Sequence, residues 1–181
     1  LINCISKAKG YIIIIMLRAV LLFLFLATNV LAHLPRVIYN NQENDIVVKD
    51  AEISQAFYDE LSGKPRFYFI KSEIDFVLNI NLLVPESTNN KGRYSAKVFE
   101  IKNKIENEIV FLDGQNFEWQ EFYEPFGRDY YLKGPELEEN LTAGEYKVEV
   151  FNDDLPLQVG NTGKYVLVVG KKEVFTFQEI L

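Results

Sequence analysis

The chain has 181 residues, of which 48% are hydrophobic and 14% aromatic, and its formal net charge is −7. This length allows one domain plus a targeting segment, and the apolar content excludes a disordered chain. The excess of acidic residues argues against nucleic acid as a partner.

Residues 1–32 are typical of a targeting segment rather than of a folded domain. Arg18 supplies a short basic region, an apolar run follows it, and the run ends in small residues. The only methionine is Met16, so we interpret the residues before it as upstream sequence and expect the mature chain to begin at His33. An uncleaved membrane anchor over 12–32 is the alternative, because that stretch is long enough to span a bilayer. Both interpretations predict an exported protein.

Removal of this segment makes the rest of the chain more acidic and free of cysteine. Lys7, Lys9 and Arg18 are its three basic residues and it has no acidic ones, which leaves 16 basic and 26 acidic residues and a net charge of −10. Cys4, the one cysteine, also lies in it, so the mature chain has no disulfide and no thiolate metal site. Since an acidic surface repels anionic lipid, we expect membrane contact only through the N-terminal segment or through a C-terminal anchor beyond Leu181.

Short runs of alternating apolar and polar residues predict a β protein. A polar lead-in over 33–45, which we expect to be flexible, comes before them. Residues 52–61 fit a helix or a strand equally well, and turn signals such as Pro85 and Asp113-Gly114 separate the later runs. The alternation predicts strands over 46–48, 66–70, 75–85, 94–101, 105–112, 146–150 and 165–169.

The densest aromatic stretch, 117–132, has no clean period, and we interpret it as a connection that crosses between two sheets. Residues 133–135 break it, and 136–140 form an acidic approach to the last strands. We predict that 143–170 folds as two strands and a polar loop, paired as a terminal hairpin. Residues 165–169 are apolar on both faces, which is typical of a central strand.

The strand pattern and five motifs together indicate the fold class. About eight short strands with turn signals between them predict a single all-β, antiparallel β-sandwich over 46–181. The motifs are SQAFY at 54–58, YFI at 68–70, FVLNINLLVP at 76–85, AGEYKV at 143–148 and GKYVL at 163–167.

These motifs resemble the bacterial pre-peptidase C-terminal type of domain. The resemblance implies a jelly-roll-like β-sandwich on a secreted or surface protein, non-catalytic itself and associated with secretion, surface attachment or substrate contact. The chain departs from that pattern in its aromatic stretch over 117–132 and in having no catalytic domain beside it. It also resembles short envelope proteins in which such a unit is followed by a C-terminal membrane helix, and no such helix is visible before Leu181.

The inventory of reactive residues argues against an enzyme. His33 is the only histidine and the mature chain has no cysteine, so Cys–His catalysis is excluded, and a Ser–His pair would need His33 to enter the core. The remaining catalytic option is a pair of carboxylates beside aromatic rings, as in glycosidases. Its candidates are Glu118, Glu121, Glu124 and Asp129, and a solvated acidic surface is the simpler explanation of them.

Two sets of residues are candidates for binding. The first is aromatic and would stack on a glycan or a protein if several rings are exposed and coplanar, whereas buried rings would form a plug between the sheets. Its members are Trp119, Tyr123, Tyr130 and Tyr131. The second set offers oxygen ligands for Ca²⁺ in turns at strand ends, although Asp and Asn also favour turns for backbone reasons. Its members are Asp113, Asn152, Asp153 and Asp154.

We therefore expect a non-catalytic exported module of the cell envelope that serves surface structure, adhesion or ligand contact, with a protein or a glycan as its partner. We expect no cofactor other than Ca²⁺. The alternative is a carbohydrate-binding or carbohydrate-active domain that uses residues 117–131.

Overall fold

The computed structural model divides into two compact units, Leu1–Leu31 and Ala32–Leu181. It describes residues 16, 18, 34–37, 45–86, 93–124, 128–152 and 161–173. In the first unit the described residues are Met16 and Arg18, and both are helical. The rest of the predicted targeting segment, His33 and the tail from residue 174 lie outside the described residues. Cleavage before His33 stays a prediction.

The described part of the second unit consists of strands joined by short loops. Its eleven strands are β1 (Leu34–Val37), β2 (Ile46–Val48), β3 (Gln55–Ser62), β4 (Arg66–Ser72), β5 (Phe76–Pro85), β6 (Tyr94–Lys102), β7 (Ile105–Leu112), β8 (Gln120–Glu124), β9 (Asp129–Leu141), β10 (Gly144–Asn152) and β11 (Thr162–Val169).

The strands form two sheets whose order is that of a jelly roll. One sheet has six strands in the order β1-β3-β11-β5-β9-β8, and the other has five in the order β2-β4-β10-β6-β7. From β3 to β6 the chain crosses between the sheets at every step, and it does so again from β9 to β11. Alternation of this kind packs two Greek-key layers face to face. The predicted all-β, jelly-roll-like sandwich is confirmed.

The strand number and the strand directions differ from the prediction. Eleven strands are present among the described residues rather than about eight, because β1, β8 and β9 form where no strand was predicted. The sheets are mixed rather than antiparallel, since β1 runs parallel to β3 and β2 runs parallel to β4. β1 lies within the lead-in that we expected to be flexible. Alternation within a short strand does not encode the direction of its neighbour, so the parallel pairing could not be predicted from it.

Most individual strand predictions agree with the structure to within two residues. The ambiguous segment 52–61 is the strand β3. β6 and β7 pair with each other, and they are joined at Asn103 and Lys104, whose φ angles are 53° and 66°. Two consecutive positive φ angles are the requirement of the tightest hairpin turns, and asparagine tolerates them better than most residues.

The predicted terminal hairpin is wrong. β10 pairs with β4 and β6 in one sheet, whereas β11 pairs with β3 and β5 in the other, so the polar loop between them crosses the sandwich. The central position of β11 is confirmed. Both strands are buried along most of their length, and adjacency in sequence does not decide which sheet buries each of them.

The aromatic stretch 117–132 was predicted to be an irregular connection between the two sheets, and its structure differs from that prediction. β8 and β9 form an antiparallel hairpin at the edge of the six-stranded sheet. Gly134 and Pro135 do not break β9, because the register along β5 shifts between Asn81 and Leu83 and a bulge there accommodates the extra residue. Proline is tolerated at a bulge since the ladder hydrogen bond is already missing.

The core between the sheets contains a buried polar cluster as well as aliphatic side chains. Asp59 Oδ2 accepts hydrogen bonds from Arg66 Nε at 2.9 Å and from the Tyr68 hydroxyl at 3.1 Å. The Tyr68 hydroxyl lies 2.7 Å from that of Tyr165. Burial raises the pKa of both tyrosine hydroxyls well above its usual value. The cluster joins strands β3 and β11 to strand β4 and so ties one sheet to the other.

Candidate functional site

The candidate site lies on the side of the sandwich where the sheets end at β7 and β8. The predicted aromatic residues are distributed over this side by the β8–β9 hairpin and by the loop that precedes it. Because successive residues of a strand face opposite ways, neighbouring aromatic residues have different surroundings.

Trp119 is held against the protein itself. Its indole Nε1 donates a hydrogen bond to the Gly114 carbonyl oxygen at 2.8 Å, and its ring packs against the core. A Cβ on Gly134 would lie 2.5 Å from the Trp119 ring, so β9 passes directly over that ring at a residue without a side chain. The geometry is that of a plug between the sheets, with one ring face covered.

Tyr123 and Tyr130 are brought together and remain exposed. They lie directly opposite each other on β8 and β9, with 46% and 57% of their surfaces accessible. Their ring centroids are 4.9 Å apart and their planes are inclined by 48°. Phe122, which precedes Tyr123 on β8 and faces the other side of the hairpin, is also exposed. The tyrosines are therefore adjacent to each other but not coplanar.

Tyr131 is buried on the outer face of the six-stranded sheet. It belongs to a second apolar cluster with Val166 and Val168. Burial raises the pKa of its hydroxyl, and a hydrogen bond with Tyr58 raises it further. The structure thus separates Tyr131 from Tyr130, its neighbour in sequence, and buries it in the apolar cluster on the outer face of the sheet.

Carboxylates surround the exposed tyrosines. Glu121 precedes Tyr123 by two residues on the same face of β8, and Glu124 lies directly opposite Asp129 at the end of the hairpin. Like charges directly opposite in a sheet are unfavourable. Between residues 113 and 132 the sequence has five acidic residues and one arginine. This side of the molecule is consequently both aromatic and acidic.

A cleft with a volume of about 480 Å³ opens beside this hairpin, between β7 and β9. The volume lies within the range of ligand sites in proteins. Its walls combine apolar side chains with a few charged ones, and they are Val110, Phe111, Leu112, Asp113, Phe117, Gln120, Lys133, Gly134, Pro135, Glu136 and Leu137. The sequence analysis missed this cleft because it arises from two strands of different sheets. The available signal in the sequence was that Val110 and Leu112 alternate with Phe111, which places the first two residues on one face of the strand and Phe111 on the other.

The predicted calcium ligands are engaged with the protein where they are described. Asp113 accepts hydrogen bonds from the backbone amides of Gln115 and Asn116 and from the Asn116 side chain, whose hydrogen bond lowers the pKa of the Asp113 carboxyl. Asn152 is the last residue of β10 and donates to the Thr162 carbonyl oxygen at 3.4 Å. Asp153 and Asp154 lie outside the described residues, so the calcium site stays a prediction.

The described residues contain neither a ready metal site nor a membrane-spanning helix. No group of three or more histidine, cysteine, aspartate or glutamate side chains is arranged there to hold a metal ion. In that same part of the chain, no helix has both the length and the apolar character needed to cross a bilayer.

The comparisons with known proteins found similarity in structure alone. No family model and no curated protein sequence matches the chain. The pre-peptidase C-terminal domain of a collagenase from Bacillus anthracis, the kind of domain that the motifs resemble, has a TM-score of 0.41 at 11% identity and covers 73% of this chain and 98% of that one.

Two other solved structures are similar to a comparable degree. PliG from Aeromonas hydrophila, a periplasmic inhibitor of g-type lysozyme, has a TM-score of 0.46 at 12% identity and covers 75% of this chain and 97% of that one. CorA, a surface-associated copper-binding protein of Methylomicrobium album BG8, has a TM-score of 0.40 at 8% identity and covers 71% and 98%.

Proposed function

We propose that this chain is a non-catalytic, exported β-sandwich module that contacts a protein partner through its β8–β9 hairpin. The exposed pair of Tyr123 and Tyr130 carries this proposal. Tyrosine is enriched in the cores of protein interfaces, where its rigid ring buries a large area at a small entropic cost. Two such rings in contact at a sheet edge, with Phe122 on the opposite face, present aromatic surface to a partner from both sides of the hairpin.

The charge of this surface favours a basic partner. Glu121, Glu124 and Asp129 lie around the tyrosines, whereas the basic residues of the hairpin are Arg128 at its turn and Lys133, which forms an ion pair with Glu136. Complementary charge speeds association and excludes acidic competitors. An arginine of the partner would in addition stack on the tyrosine rings while it pairs with a neighbouring carboxylate.

The ring geometry favours a protein over a glycan. A flat sugar ring stacks best on coplanar aromatic rings, whereas the planes of Tyr123 and Tyr130 are inclined by 48°. Trp119, the residue that a glycan platform would use first, has one ring face covered by β9. Glycan binding or glycan hydrolysis over 117–131 is the alternative that the following experiment distinguishes.

The apolar segment after Met16 and Arg18 supports the export that we propose, because its pattern resembles that of a signal peptide. The acidic chain beyond it suits a module that works outside the cytoplasm and is not held on anionic lipid.

Thermal unfolding in the presence of defined probes tests the proposal, because a ligand that binds only the folded state raises the melting temperature. The probes are a g-type lysozyme, small basic and acidic proteins of similar size, and soluble peptidoglycan and chitin fragments. We expect basic proteins to raise the melting temperature of the full chain and the double variant Tyr123→Ala/Tyr130→Ala to lose that rise.

Ile74→Ala is the control, since Ile74 is an apolar residue that is more exposed than either tyrosine and lies away from the hairpin, in the loop between β4 and β5. It should keep the full rise. A shift with glycans alone would favour the carbohydrate-binding alternative, and the absence of a shift with every protein probe would contradict the proposal.

A further inference from the structure

Strand β7 is an edge strand with an apolar surface. In the described chain it pairs with β6 and has no strand on its other side. Ile105 and Phe111 have 62% and 48% of their surfaces accessible, and Ile109 between them is exposed as well. A long edge with exposed apolar side chains is a template for another strand unless the protein protects it.

The cleft between β7 and β9 lies directly beside this free edge. Val110 and Leu112 pair with inward-facing residues of β6 and form one wall of the cleft, and Leu137 on β9 contributes to the other. A strand added to β7 would extend the five-stranded sheet across the mouth of the cleft. Every second side chain of that strand would then enter the cleft, and the others would lie on the outer face of the sheet.

We propose that β7 accepts an extended segment of a partner protein, in which apolar residues alternate with basic ones. Main-chain hydrogen bonds to the free edge would supply affinity, and the cleft would select the apolar side chains. This site goes beyond the contact proposed for the hairpin, because it uses a different strand and a different mode of recognition.

The outer face of β7 is the reason for proposing basic residues at alternate positions of the partner segment. Glu106 and Glu108 both lie on that face, and each forms an ion pair on the side away from the free edge, with Lys147 on β10 and Lys97 on β6. The Glu106 and Glu108 side chains nevertheless remain 46% and 43% exposed. Opposite charges on neighbouring strands stabilise their pairing, so lysine or arginine is the favoured neighbour here.

The outer face also offers an aromatic contact next to these carboxylates. Phe111 stacks on Phe151 with ring centroids 6.3 Å apart and planes only 9° from parallel. Lys97 lies 5.7 Å from the Phe111 ring centroid. The Phe111 ring is thus held in place while nearly half of it faces solvent, and it can cover the aliphatic part of a basic side chain.

A second copy of this chain is a poorer occupant than a basic segment. β7 reads IENEIVFL and contains no basic residue, so pairing of two β7 strands brings no cation to Glu106 or Glu108. The register shift opposite Val98 and Phe99 leaves Ile109 as a bulge and divides the free edge into two short stretches. Bulges and acidic residues on an edge oppose self-association, and both leave an oppositely charged partner free to bind.

The test uses a fluorescent decapeptide that alternates lysine and valine, titrated with the full chain by fluorescence anisotropy. We expect saturable binding, slower amide hydrogen exchange over 105–111, and at least a tenfold loss of affinity when alternate backbone nitrogens of the peptide are methylated. Alternate backbone nitrogens of a strand point to opposite edges, and only one edge can pair with β7. Two methylated peptides are therefore tested, one for each set of alternate nitrogens. A glutamate–valine peptide should not bind.

Variants of the protein separate this site from other acidic surfaces. We expect Glu106→Gln/Glu108→Gln to weaken peptide binding severalfold at low salt, whereas Glu145→Gln, on the same outer face but on β10, leaves it unchanged. Tyr123→Ala/Tyr130→Ala should also leave peptide binding unchanged. The β7 proposal can therefore fail without affecting the proposal for the hairpin. The proposal would be overturned if the lysine–valine peptide did not bind saturably, or if both methylated peptides bound as tightly as the unmethylated one. Slower amide hydrogen exchange elsewhere than on β7 would overturn it as well.

Discussion

The hydroxyl oxygens of Tyr68 and Tyr165 lie 2.7 Å apart although the two residues belong to different sheets. The Tyr68 hydroxyl donates to Asp59 Oδ2 at 3.1 Å, whereas the Tyr165 hydroxyl lies 3.5 Å from that oxygen and 2.7 Å from Tyr68, so the shorter distances assign the Tyr165 proton to the Tyr68 oxygen. This chain of hydrogen bonds joins the sheets at a point where both rings are fully buried. Several predictions about stability depend on it, because an interior hydrogen-bond acceptor that loses its donor is left unsatisfied.

Removal of the Tyr68 hydroxyl should destabilise the protein more than removal of the Tyr165 hydroxyl. Tyr68→Phe takes a donor from Asp59 and an acceptor from Tyr165, and we expect a loss of about 2–3 kcal/mol in the free energy of unfolding. Tyr165→Phe leaves the Tyr68–Asp59 bond in place and should cost about 1 kcal/mol. Urea denaturation measures both, with the exposed Tyr123→Phe as a control near zero. Equal losses for the two buried tyrosines would contradict the order of donation.

The buried ion pair between Asp59 and Arg66 should show strong coupling. Their side chains are 3% and 7% exposed, so Arg66→Met leaves a carboxylate charge in the core and should cost about 3–5 kcal/mol. The double variant Asp59→Leu/Arg66→Met removes both charges, and we expect it to be less destabilised than the sum of the two single variants. A double-mutant cycle in urea measures this coupling. Additive losses would show that the pair contributes no interaction of its own.

Gly134 should be intolerant of a side chain because of Trp119. A Cβ there would lie 2.5 Å from the ring, so Gly134→Ala must displace the indole or bend β9. We expect a loss of about 1–3 kcal/mol together with a change in the emission of this single tryptophan. Gly144→Ala is the control, since the nearest atom to its Cβ would be 3.4 Å away. Unaltered emission from Gly134→Ala would place the ring elsewhere.

Stability should decrease at alkaline pH through the buried tyrosines. Burial raises the pKa of Tyr68 and Tyr165 in the folded state, so their contribution is complete below the unfolded pKa of about 10 and is lost as the pH rises above it. Urea denaturation between pH 9 and about 12 should show the decline. The variant Tyr68→Phe/Tyr165→Phe should show a shallower one, and an unchanged slope would assign the decline to other groups.

Asp113 should stabilise its turn without calcium. Its hydrogen bonds with Asn116 and Gln115 lower the pKa of its carboxyl, so its contribution is present above the unfolded pKa and is lost as the pH falls through the folded one. Asp113→Asn should therefore lower the melting temperature at neutral pH and have little effect in acid. The same loss in EDTA and in Ca²⁺ would confirm a turn-capping role, whereas a loss seen only with Ca²⁺ would support the calcium site.

In the aromatic stretch 117–132, the sequence pattern predicted the location of the candidate site but not which of its rings are exposed. The sequence identified 117–132 as the part of the chain that is richest in candidate ligands, and the exposed tyrosines lie in it. It did not separate Tyr130, which is exposed, from Tyr131, which is buried, because each position depends on the register of β8 against β9. The covered Trp119 ring depends likewise on Gly134, a contact between residues of two different segments.

The sequence by itself determined the class of the fold and the extent of most strands, because alternation with a period of two reports directly that one face of a strand is buried. It also determined the acidic character of the chain and its content of one histidine and one cysteine. Only the tertiary structure decided that β10 and β11 belong to opposite sheets, that β1 and β2 run parallel to their neighbours, and that a cleft opens beside β7. Alternation states that a face is covered but not which strand covers it, and that choice is made by contacts between residues far apart in the chain.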